Sequence, residues 1–173
     1  MIMTKRTTSI GVAIGVAALL IVGLAAAPAS ADLKGHPAVG TWWVTSASVS
    51  TGDPIFNLAT FHPDGSVILS EDTDDFLGGI ESMVHGVWEP IPPLGAKGSM
   101  IRLTNVTIVF DVAGNHIQTL KAWGTGVVTG DNTMEAEFFA DVFLPGQNPA
   151  VDDPVATVGP FPATGDRLLI RRP

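Results

Sequence analysis

Over residues 115–143 polar and apolar side chains alternate almost one by one, and beyond residue 31 no apolar repeat of about 3.6 residues persists for three turns. A repeat of two puts successive side chains on opposite faces of an extended chain, so these segments read as strands. On 115–128, Ile117, Thr119, Lys121, Trp123 and Thr125 alternate with His116, Gln118, Leu120, Ala122 and Gly124. On 132–143, Glu135, Glu137 and Asp141 alternate with Met134, Ala136, Phe138, Ala140 and Val142. Charges belong in water, so the Leu120 and Phe138 sets face inward. The same reasoning on 99–110 turns Arg102 and Thr104 outward and Ile101, Leu103, Asn105, Thr107 and Val109 inward.

Gly, Pro, Asn and Asp divide the rest of the chain into similar runs. Strands are expected at 40–49, 55–62, 66–70, 83–89, 99–110, 115–128, 132–143 and 166–172. His62-Pro63-Asp64-Gly65, residues 111–115 and residues 129–132 have hairpin chemistry, which makes the flanking strands antiparallel neighbours. Eight strands is a closing number for a small barrel. The expected fold is all-β, an eight-stranded antiparallel up-and-down β-barrel, with a β-sandwich as the alternative. Connections then alternate between two ends. One end receives 50–54, 71–82, 111–115 and the Pro-rich 144–165, whose prolines argue against regular pairing, and is the expected mouth.

The first 31 residues stand apart. Lys5 and Arg6 precede an apolar run over 10–27 and then Ala29-Ser30-Ala31, the pattern of a secretory signal peptide cleaved before Asp32. The expected organisation is a signal peptide at 1–31, a flexible lead-in at 32–39 and one barrel domain at 40–173, in a secreted, extracytoplasmic location with no stable membrane insertion after cleavage. Beyond residue 31 the chain carries 7 basic against 17 acidic side chains, a surface that repels nucleic acid and anionic lipid. No Cys is present, which removes thiol catalysis, Cys-ligated metals and disulfides. At this length roughly two thirds of the unfolded surface can be buried without a disulfide.

Gly40-Thr41-Trp42 opens the first strand, and Arg167, Arg171 and Arg172 lie near the other end of the sequence, where an antiparallel last strand would bring a guanidinium over the Trp42 indole. In this the chain resembles the lipocalins and the wider calycin group of ligand-binding barrels, whose first strand carries Gly-x-Trp and whose last strand packs an Arg over that Trp. The resemblance implies a Trp42–Arg171 pair at the barrel base, with Arg172 next in preference. The chain departs from typical lipocalins in having no Tyr and therefore no Thr-Asp-Tyr motif, no disulfide, and no helix after the last strand.

The expected function is binding of a small hydrophobic molecule inside the barrel, with no metal or cofactor. Leu103, Leu120, Ala122, Met134, Ala136 and Phe138 form the expected apolar wall, with Asn105, Thr107 and Gln118 as polar handles. Loops 71–82 and 144–165 are the expected gate. The alternative is an isomerase or cyclase on an apolar substrate. His85, His116, Asp111, Glu81 and the acidic run Glu71, Asp72, Asp74 and Asp75 all fall toward the mouth, and a proton shuttle by His85 or His116, with Asp111 as partner, is its chemistry. A third possibility is an envelope interaction module using the outward Trp43 or Trp123.

Overall fold

In a computed structural model, the structure describes residues 33–47, 53–71, 79–92, 99–130 and 132–169. The expected leader at 1–31 and Arg171 and Arg172 lie outside the described residues. Nine strands are described: β1 (Gly40–Ala47), β2 (Pro54–Phe61), β3 (Ser66–Glu71), β4 (Ile80–Glu81), β5 (Val84–Pro90), β6 (Ser99–Phe110), β7 (His116–Val128), β8 (Thr133–Phe143) and β9 (Ala156–Arg167). All pairings are antiparallel, and β6 pairs with β7 to close the sheet on itself. β4 and β5 are two pieces of one stave, pairing with β6 at Ile80↔Phe110 and at His85↔Val106. Eight staves therefore form a closed up-and-down barrel, and the sandwich alternative does not apply.

The tight turns form as their residues dictate. Gly65 and Gly114 take positive φ (86° and 84°). Asp64 Oδ1 accepts hydrogen bonds from the Ser66 backbone N–H and hydroxyl. Asp111 Oδ1 accepts from Ala113 N–H and Asn115 N–H, and its Oδ2 accepts from Asn115 Nδ2.

The last strand is where the sequence expectation fails. It covers Ala156–Arg167 instead of 166–172, and it contains Pro160 and Pro162. Among the described residues β9 is laddered on one flank only at this point, which accommodates both prolines. It pairs with β8 from Ala156 to Asp166, whereas its described pairing with β1 begins at Ala163. Pro160 also falls at a register shift opposite Phe139, preceded by Gly159 at φ 124°. A bulge on a half-free flank needs no N–H from proline.

The core is layered across one end. Trp42, Phe61, Val67, Trp88, Ile101, Val128 and Met134 pack there in one buried cluster. Residues 33–39, expected to be a flexible lead-in, close this floor. Leu33 N–H donates to Pro63 O at 3.1 Å, Trp42 Nε1 donates to Ala38 O at 2.8 Å, and Ala38 has no solvent exposure. His36 packs 5.1 Å from the Trp88 ring, its Nε2 lies 2.8 Å from Ser99 Oγ, and burial pushes its pKa below the usual imidazole value. The guanidinium over Trp42, 4.4 Å from the ring centroid, belongs to Arg167. This is the place assigned above to Arg171. The shift follows from the earlier start of β9, whose register sets Arg167 opposite Trp42.

Candidate functional site

Above the floor the barrel interior holds a cavity of about 280 Å³, extending toward the end that carries the 48–53, 72–79, 111–115 and 144–155 connections. Its walls are mostly apolar. The volume is close to twice the roughly 150 Å³ that accommodates one benzene ring in an engineered apolar cavity.

Leu103, Asn105, Thr107, Leu120, Ala122, Met134, Ala136 and Phe138, chosen from alternation alone, all line it. Gln118 does not. It has inward parity, but it sits nearer the rim than Leu120, opposite Val109 at the register shift in β6. The Thr107 hydroxyl is engaged with Ser82, donating to its carbonyl at 3.1 Å. Space arises where Ala122 and Ala140 stand opposite each other on β7 and β8. The glycines have a different role: a Cβ at Gly124 would lie 2.1 Å from Glu137 O and one at Gly86 2.3 Å from Thr104 O, so both serve close strand approach.

The other half of the wall comes from strands whose facing had not been assigned. β1 contributes Val44 and Ser46, β2 contributes Ile55, Asn57 and Ala59, β9 contributes Val158 and Phe161, and Glu81 joins from β4. β2 is apolar on both faces: Phe56 and Leu58 point outward and remain more than a third exposed, and Phe56 packs 5.5 Å from the outer Trp43. Parity could not be read from such a strand. The rule that charged and amide groups face water would have turned Asn57 and Glu81 outward.

Instead these two carry the site's main electrostatic feature. Among the described residues, Asn57 Oδ1 and Glu81 Oε2 are buried and have no hydrogen-bond partner. Buried acceptors are normally satisfied by protein or by ordered water, so this open pair in one cavity wall stands out from ordinary packing.

The proton-transfer candidates are not part of this site. His85 is exposed on β5. His116 lies outside the cavity wall, its Nε2 3.0 Å from Thr119 Oγ1 and its ring 6.2 Å from Phe110. Asp111 is a turn residue, its carboxyl held below the usual range chiefly by the hydrogen bond from the Asn115 side chain. No His–carboxylate pair forms at the cavity from these three.

The expected gate is also changed. Residues 144–155 form a self-bonded loop in which Asn148 N–H donates to Asp152 Oδ2 at 2.6 Å and Gln147 Nε2 to Asp153 O at 3.1 Å. Lys121 Nζ, on the outer face of β7, donates to Pro149 O at 3.0 Å, and no residue of this loop lines the cavity. Asp72, Asp74 and Asp75 lie outside the described residues, as does most of the other expected gate. On the outer surface Trp123 stacks 4.6 Å from Phe139 and donates from Nε1 to Asp141 Oδ2 at 3.1 Å.

Comparison of the chain with protein-family models, with curated proteins and with solved structures finds no match.

Proposed function

We propose that the chain is an exported container that holds one small, largely apolar molecule in the upper half of its barrel. The observation that carries this is the cavity of about 280 Å³, apolar-walled and closed below by fully buried Trp42 and Ala38. A barrel of this strand number can be filled solid by its own side chains. Here alanines occupy facing wall positions where larger residues would fill it, and an enclosed apolar space with a few polar atoms is the usual form of a ligand site. Export is supported by the leader pattern of residues 1–31.

The test is titration of the purified protein with the neutral apolar dye N-phenylnaphthylamine. Saturable, blue-shifted emission at one dye per chain, competed by small hydrocarbons, is the expected result. Linear, unsaturable emission, or no binding by dye or hydrocarbon, would overturn the proposal.

A further inference from the structure

We infer that the guest carries a hydrogen-bond-donating head, an amine or a hydroxyl, and that the barrel discriminates against carboxylate-headed amphiphiles of the same size. This rests on the container proposal and adds the chemistry of the guest.

Both open polar atoms are acceptors. Asn57 Oδ1 is an amide carbonyl on a residue only 9% exposed, and Glu81 Oε2 belongs to a carboxylate. A donor satisfies either, whereas an ionised acid brings only acceptors and sets a second negative charge beside Glu81. The nearby Thr107 hydroxyl donates to Ser82 O and so leaves the wall's unmet need one of donors.

Position fits the chemistry. Asn57 pairs with Glu71, and Leu69 pairs with Val84, so Asn57 and the β4–β5 junction next to Glu81 share a level of the barrel. Two strand spacings, about 10 Å of sheet, separate their backbones, so a single hydroxyl or amine donates to one acceptor directly and reaches the other through a bridging water. Below that level the wall runs down through Ala59, Leu103, Met134 and Phe61 toward the floor. A guest therefore sits with its head toward the mouth and its tail toward Trp42.

Displacement of bound N-phenylnaphthylamine by octanol, octylamine and octanoate at neutral pH tests this. Octanol and octylamine are expected to compete at concentrations at least about tenfold lower than octanoate, a difference of about 1.4 kcal/mol. The ordering persists at high salt, where repulsion from the acidic surface is screened. Asn57→Leu and Glu81→Gln narrow the gap while competition by p-xylene is unchanged. A preference for octylamine that Glu81→Gln removes identifies an ammonium as the head; equal competition by octanol and octylamine identifies a neutral donor. Octanoate competing as well as the other two in the unaltered protein would overturn the inference and leave the container standing. Failure of dye and p-xylene to bind would remove both.

Discussion

The Arg167 guanidinium lies 4.4 Å from the centroid of the Trp42 ring, donates through Nη1 to Val39 O at 2.6 Å, and donates through Nη2 to Pro37 O. One side chain thus ties the last strand, the first strand and the segment crossing the floor. Arg167→Ala removes the cation–π contact and leaves two carbonyls to find water, so a loss of about 1–3 kcal/mol is expected. Arg167→Lys recovers only part, because an ammonium keeps the charge without the planar fork. Urea unfolding midpoints measure both; an alanine variant as stable as the parent would refute this role.

Ala122 and Ala140 face each other across β7 and β8 and line the cavity. Replacing either by Leu fills existing space, so stability is expected to stay within about 1 kcal/mol of the parent. Dye affinity is expected to fall at least about tenfold. Unimpaired dye binding in the double variant would place the dye elsewhere on the protein.

Gly124 and Gly126 make an internal control for strand packing. A Cβ at Gly124 would meet Glu137 O at 2.1 Å, whereas one at Gly126 finds its nearest neighbours at 3.5 Å, ordinary contact. Gly124→Ala is expected to cost about 1–3 kcal/mol through backbone displacement, and Gly126→Ala less than about 0.5 kcal/mol. Thermal melts of the two variants decide it, and equal melting temperatures would contradict the geometry.

His36 lends the floor a pH dependence. Burial lowers its pKa, so the unfolded chain binds a proton at a higher pH than the folded chain does. Stability contributed by neutral His36 is fully present above the unfolded value of about 6.5 and declines as pH falls from there toward the lower folded value. Among the described residues the charged side chain of the lead-in is Lys34, and Arg167 of β9 reaches the adjacent Pro37 carbonyl; both are cationic, so neither favours protonation. His36→Gln is expected to flatten the stability profile across this window; an unchanged slope, followed by chemical denaturation at stepped pH, would assign it to other groups.

Alternation made β6, β7 and β8 legible because each has a charged face that admits one orientation, and the eight cavity residues read from them follow from that. Two physical circumstances hid the rest. β2 and β1 present aromatic residues outward, Phe56 against Trp43, so apolarity no longer indicated the inside. Asn57 and Glu81 reverse the rule that polar groups face water, since both line the cavity with a buried acceptor. The β9 boundary was obscured by Pro160 and Pro162, since the sequence does not reveal that, among the described residues, that strand pairs only with β8 at those positions. The choice among Arg167, Arg171 and Arg172 depended on that boundary. His85 and His116 were plausible by rim position alone; parity turns His85 outward, whereas His116 shares the parity of Leu120 but stands beyond the β6 register shift, outside the cavity wall.

The seam between β6 and β7 has a kinetic consequence. Along β6 and β7 the ladder runs unbroken from Ser99↔Val128 to Val109↔Gln118, so parting these two staves to admit a molecule would break a long run of backbone hydrogen bonds. For the proposed guest, exit between these staves would be slower than exit at the mouth, so its residence time would depend on the mouth together with how tightly the walls hold it.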